Sequence, residues 1–101
     1  MYVIGIDIGT SGTKTVLFDT NGTVISSHTS EYPMYQPKNG WAEQNPEDWW
    51  DAAVKTVISV TEKIDKNDIV GIGLTGQMHS LVLLDENNKV IRPAILWRDG
   101  R

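Results

Sequence analysis

Apolar positions along the first third of the chain follow a strand rhythm. Residues 2–8, YVIGIDI, form a short apolar run that reads as a buried strand, and residues 15–19, TVLFD, read as a second one joined to it by the Gly-rich turn GTSG. The Asn21-Gly22 pair in the next connection tolerates positive φ and predicts a tight hairpin into a third strand, VISSHTSEY. Three antiparallel strands therefore open the chain. Between Tyr32 and Gly40, two prolines, a glycine and little periodicity predict a loop crossing to the other side of the sheet.

A helix follows. Asn45 is placed as its N-cap and Pro46 at its first position, with Glu47 and Asp48 in the first turn at the positive end of the helix dipole. Trp50, Ala53, Val54, Val57, Thr61 and Ile64 are predicted to share the face that packs on the sheet. Strands are then expected at Ile69–Thr75 and Leu81–Asp85, with a turn at Glu86–Lys89 before Val90-Ile91. The order is βββαβ with an added hairpin. LFDTNGTVI at 17–25 and LLDENNKVI at 83–91 share a strand, polar turn, strand pattern, which reads as two similar hairpins rather than a duplication.

At 101 residues and 40% hydrophobic content the chain suits one domain, small for a two-layer core. The absence of cysteine removes disulfides and thiolate metal sites, leaving packing to hold the fold. No apolar window is long enough to span a bilayer and Met1 leads straight into a strand, so the reading is a soluble, cytoplasmic protein. With a net charge of −4 and nine scattered Lys and Arg, nucleic acid and anionic membranes are poor partners. A small molecule is the better one.

One residue breaks the first strand. Burying an unpaired carboxylate costs roughly 3 to 5 kcal/mol, so Asp7 inside an apolar run points to a metal or a phosphate-bound cation. Next to it, DIGTSGTK offers a compact donor set: Gly9 and Gly12 allow a tight turn with exposed N–H groups, Thr10, Ser11 and Thr13 add hydroxyls, and Lys14 adds charge. The same composition also makes an ordinary hairpin. Asp7 favours the functional alternative, because a carboxylate beside a phosphate cradle repels the phosphate unless Mg²⁺ lies between; the reading is Mg-nucleotide binding. It is not a P-loop, since Lys14 follows Thr13 rather than glycine and the turn joins two strands. GIGLTG at 71–76 matches G-x-G-x-x-G by coincidence, its first two glycines lying inside a predicted strand.

A second cluster, GQMHS at 76–80, lies at a strand end, where α/β sheets place ligands. Gln77 and His79 can hydrogen-bond hydroxyls and Met78 can offer an apolar face; an ordinary strand-end cluster with a satisfied histidine is the competing reading. His28 is given no role, and Trp41, Trp49 and Trp50 are read as packing anchors.

Together DIGTSGTK, NGWAEQNPEDWW, GLTGQMHS and RPAILWRDGR resemble, over the whole chain, the N-terminal part of the carbohydrate kinase family that includes xylulokinase and glycerol kinase. GQMH and the W-x-D-x-R ending favour the xylulokinase branch. The resemblance implies an actin-like, ribonuclease-H-like α/β domain and ATP-dependent transfer of the γ-phosphoryl group to a ketose, D-xylulose, giving D-xylulose 5-phosphate. It implies that Asp7 organises Mg²⁺ and phosphate, that Gly9 to Thr13 with Lys14 face the nucleotide phosphates, and that Met78 and His79 contact the ketose. Trp97, Asp99 and Arg101 match the W-x-D-x-R block and are placed on the sugar side. Two positions depart from the pattern: Ser80 stands where glycine is usual and Arg98 where asparagine is common.

The family's catalytic base and adenine pocket lie further along its chain, so residues 1–101 are expected to be a truncated first part of the first domain, inactive alone. Exposed apolar edges are expected to favour a homodimer. Alternatives are a kinase of the same family acting on ribulose, gluconate or glycerol, a non-enzymatic actin-like nucleotide-binding scaffold, and a lectin-like sugar module.

Overall fold

The computed structural model describes residues 1–100; Arg101 lies outside the described residues. The predicted opening is present as β1 (Tyr2–Ile8), β2 (Gly12–Asp19) and β3 (Val24–Glu31), followed by a two-residue β4 (Glu43–Gln44), α1 (Pro46–Thr61), a 3₁₀ turn (Lys66–Asp68), β5 (Ile69–Gly76) and a two-residue β6 (Ala94–Ile95). The main sheet runs β3-β2-β1-β5, with β1 antiparallel to β2, β2 antiparallel to β3, and β5 parallel to β1. A β4-β6 ribbon stands beside it. β1, β3 and the start of α1 agree closely with the sequence reading, whereas β2 begins at Gly12 rather than Thr15, shortening the turn.

Side-chain alternation gives the sheet two unlike faces. Ile4 and Leu17 point to one side and form a core with Val60, supported by Tyr2, Ile6, Val57, Ile64 and Ile69. α1 covers this face over β2 and β3. Asp7 is exposed, contrary to the expectation of a buried carboxylate. It alternates away from Ile4 and Ile6, onto the face that α1 does not cover.

The helix keeps the later part of its predicted face, Thr61 being buried and Val57 and Ile64 packing on the core, but its first turns are rotated from the predicted orientation. Its buried residues are Ala52, Thr56, Val60 and Thr61, while Trp50 is 67% exposed and Val54 is also exposed. Two threonines can occupy the inner face because their hydroxyls are satisfied. Thr56 Oγ1 donates to the Ala52 carbonyl at 2.8 Å and lies 2.7 Å from Thr15 Oγ1 across the interface, and Thr61 Oγ1 donates to the Val57 carbonyl at 2.7 Å. Asn45 caps the helix, its Oδ1 accepting from Glu47 N at 3.0 Å.

The predicted hairpin after β5 is reduced to single bridges, Leu84 to Val90 and Leu81 to Ile95. Leu81, Leu83 and Leu84 stay largely exposed. With no second layer to bury them, their apolar pattern does not set a continuous ladder. The turn itself forms and repeats the first one residue for residue. Asp19 Oδ1 accepts from Asn21 N and Thr23 N, and Asp85 Oδ1 accepts from Asn87 N and Lys89 N, all at 2.8–2.9 Å. The left-handed position is Gly22 (φ 85°) in one and Asn88 (φ 62°) in the other. The internal echo is thus a shared Asx-turn geometry.

A second small core, Ala42, Ala94 and Leu96 with Met34 and Trp49, joins the β4-β6 ribbon to the start of α1. Arg92 and Glu43 form an ion pair on its flank. Among the described residues, no helix is long and apolar enough to cross a membrane.

Candidate active site

The β1-β2 turn is held from behind. Gly9 N–H closes it on the Gly12 carbonyl at 3.0 Å, so this donor is used within the turn. Tyr32 follows β3 directly; its hydroxyl donates to the Gly9 carbonyl at 2.5 Å and lies 3.2 Å from Thr13 Oγ1. Because the phenol proton is committed to Gly9, Thr13 donates to Tyr32. Burial pushes the Tyr32 phenol up from its ordinary value, the Thr13 hydrogen bond works against that shift, and the charge of Asp7 adds to it. Gly12 permits the close packing: a Cβ there would sit 2.7 Å from the Ser30 carbonyl oxygen. Thr13 is fully buried and faces inward, while Thr10 is partly exposed and Ser11 and Lys14 are exposed. Lys14 is the register partner of Asp7 across the strand pair, on the open face.

At the end of β5 the chain is tied to β1, Gln77 N donating to the Ile8 carbonyl at 3.0 Å. This bond brings the second cluster up to the turn. Asp7, Gly9, Thr10, Gly76, Gln77, Met78, His79 and Trp97 line one cleft of about 430 Å³. Asp7, Gly9 and Thr10 of the predicted phosphate site therefore share a concavity with Gln77, Met78, His79 and Trp97 of the predicted sugar site, whereas Ser11, Gly12, Thr13 and Lys14 do not line it. Met78 is 72% exposed, presenting its thioether to solvent. His79 adopts φ 59°, a left-handed conformation that a non-glycine residue holds only when its surroundings impose it. Next to it, Ser80 Oγ is buried without a hydrogen-bond partner. A glycine, usual at this position in the resemblance, would leave no such orphan.

The W-x-D-x-R block divides. Trp97 lines the cleft and its Nε1 donates to Thr10 Oγ1 at 3.4 Å. Asp99 lies away from the cleft lining, its Oδ2 accepting from Ala42 N at 2.8 Å, where it ties this segment to the loop before β4. Arg98 lies on the other side of the turn with Thr10, Ser11 and Tyr32, around a second cavity of about 580 Å³.

Two residues near the site escaped the sequence reading. Tyr32 reads in the sequence as the end of a strand, although an aromatic at the boundary between a polar edge strand and a loop is a position where a phenol can reach back to a turn. Gln44 sits in β4, a strand too short to leave a periodic signal. Its only mark is an amide placed just before a helix cap.

No cluster of three His, Cys, Asp or Glu side chains able to hold a metal occurs among the described residues. Asp7, an exposed carboxylate on the cleft wall, suits a cation bound mainly by phosphate oxygens and water, as Mg²⁺ is in nucleotide sites.

Residues 2–101 match the FGGY family of carbohydrate kinases, N-terminal domain. The chain is 47% identical over 102 residues to a xylulose kinase of Bacillus subtilis, covering 99% of this chain and 20% of that protein. It is 42% identical over 100 residues to a gluconokinase of the same organism, with coverage of 99% and 20%. The crystal structure of a ligand-bound xylulose kinase from Lactobacillus acidophilus superposes with a TM-score of 0.90 at 40% identity, covering 97% of this chain and 20% of that one. The chain thus spans about one fifth of the length of these relatives. Its sheet and helix are part of the actin-like α/β fold shared by these sugar kinases, and the chain belongs to the FGGY family of carbohydrate kinases.

Proposed function

We propose that these residues form the first part of the first of two domains of an ATP-dependent cytoplasmic ketose kinase, which transfers the γ-phosphoryl group of ATP to D-xylulose to give D-xylulose 5-phosphate. The observation that carries this reading is the common cleft, in which Asp7 and the β1-β2 turn stand opposite Gln77, Met78, His79 and Trp97. A phosphoryl donor and a polyhydroxy acceptor need such adjacency for in-line transfer.

The roles follow from chemistry. Of the turn's polar side chains only Thr10 lies on the cleft wall, with its hydroxyl proton engaged by Gln77 Oε1, while the exposed Ser11 hydroxyl and Lys14 cation, outside the cleft lining, are assigned to the phosphates of a nucleotide reaching past the turn. Met78 supplies an apolar surface for the carbon face of the sugar, and Gln77 and His79 supply hydrogen-bonding groups for its hydroxyls. Asp7 would hold Mg²⁺, which when bound neutralises phosphate charge during transfer. The proton acceptor for the sugar hydroxyl and the adenine pocket belong to parts of the enzyme outside these residues.

A second reading, in which the acceptor is gluconate, is favoured by the 42% identity to a gluconokinase. ADP release by the complete protein with ATP and Mg²⁺ distinguishes them, comparing D-xylulose with D-gluconate, L-ribulose, glycerol and no sugar. The proposal expects strong stimulation by D-xylulose. Stimulation by gluconate alone would move the acceptor, and release indifferent to every sugar would support a nucleotide-binding scaffold.

A further inference from the structure

Gln44 is fully buried and does not line the cleft, yet its side-chain amide is bonded to both halves of it. Nε2 donates to the Thr10 carbonyl at 2.6 Å, and at 3.4 Å to that of Pro33. Oε1 accepts from Gln77 Nε2 at 3.0 Å and from Trp49 Nε1 at 3.1 Å. Both N–H groups and both lone pairs are thereby used. The amide orientation is fixed by its neighbours, since an indole N–H only donates and a carbonyl only accepts. Gln77 completes a ring, its Oε1 accepting from Thr10 Oγ1 at 3.2 Å, and Thr10 Oγ1 in turn accepts from Trp97 Nε1.

We propose that Gln44 is a positioning residue that sets the distance between the phosphate-side turn and the sugar-side strand end; its role in turnover rests on the kinase reading above. No other common side chain meets these demands. Glutamate keeps acceptors for Gln77 and Trp49 but has no donor for Thr10 and adds a buried charge. Leucine fills similar volume and leaves the Thr10 carbonyl, the Gln77 amide and the Trp49 indole without their partner, a costly arrangement in a buried site.

The test uses the indole ¹H–¹⁵N signals of Trp41, Trp49, Trp50 and Trp97 in the complete kinase, comparing wild type with Gln44→Leu and Gln44→Glu. Trp97 makes no bond to Gln44, so its signal reports the placement of Thr10. The Trp97 signal is expected to shift in both variants, while the signal of the exposed Trp50 stays in place and unchanged far-UV circular dichroism shows that the fold is kept. A shift confined to Trp49, with Trp97 unmoved, would overturn the proposal, as would collapse of all four signals in both variants, because Gln44 would then serve folding alone. In the complete kinase, KM for ATP and KM for the sugar should each rise roughly tenfold in Gln44→Glu, the scale of one lost buried hydrogen bond. Unchanged KM values beside a lowered melting temperature would also count against it. The indole readout needs no turnover, so it decides the placement of Gln44 even if the complete protein phosphorylates no sugar.

Discussion

Tyr32 shows how much of the turn's geometry depends on one side chain. Its hydroxyl is the only group that bonds both the Gly9 carbonyl and Thr13 among the described residues, and burial holds its phenol protonated above the ordinary value of 10.0. A group whose folded pKa is raised contributes stability below its unfolded pKa and loses it as the pH rises through the folded value. Tyr32→Phe should therefore be less stable than wild type at neutral pH, and the gap should narrow above about pH 10, where unfolding favours release of the phenol proton. Urea denaturation of the two proteins across that range measures it; a gap independent of pH would deny the phenol its role. Asp7 teaches a different lesson about single residues. It stands out as a misfit in an apolar run, but burial is the wrong reason, because alternation places it on the open face beside Lys14. The role proposed for it rests on what the cleft binds rather than on a cost of folding.

At the level of elements, the interface between α1 and the sheet turns on a pair of hydroxyls. Thr15 and Thr56 are both fully buried, 2.7 Å apart, and Thr56 donates onward to the Ala52 carbonyl. Thr56→Val keeps the shape and strips Thr15 of this partner, which should cost about 1 to 3 kcal/mol in chemical denaturation. Replacing both threonines by valine should recover most of that loss, since no buried hydroxyl then lacks a partner. A double variant as unstable as the single one would refute the pairing. This polar contact also explains why part of the helix face was misread. Apolar periodicity places Val57, Thr61 and Ile64 on the inner face correctly but also selects Trp50 and Val54, whereas the sheet accepts Ala52 and Thr56, and nothing in the sequence context of Thr56 announces a partner on a distant strand. The helix cap and the Asx turns were legible because their hydrogen bonds are local. β4 and β6 were not, being two residues each and held by pairing with one another.

For the whole molecule, the two faces and two edges of the sheet are unequal. The β3 edge carries Ser26, Ser27, His28, Thr29 and Ser30, as a solvated edge strand should, whereas β5 at the other edge exposes Val70, Ile72 and Leu74, the last at 70%. α1 likewise turns Trp50, Val54 and Ile58 outward. These surfaces accord with a chain that spans one fifth of its relatives' length. Apart from Trp97, the residues that line the two sides of the cleft fall within short motifs readable in the sequence, Asp7, Gly9 and Thr10 in DIGTSGTK and Gly76 to His79 in GQMHS. Their convergence was not readable, because it depends on the parallel pairing of β1 with β5 and on the buried Gln44 between them. That convergence is the central claim, and D-xylulose-dependent ADP release by the complete protein, wild type against Asp7→Asn, tests it most directly. Wild type should release ADP only with sugar, and Asp7→Asn should be slower by roughly 10² to 10³ with an unchanged melting temperature, if the exposed Asp7 has the proposed role toward bound phosphate. Sugar-independent release, or an Asp7→Asn rate equal to that of wild type, would contradict it.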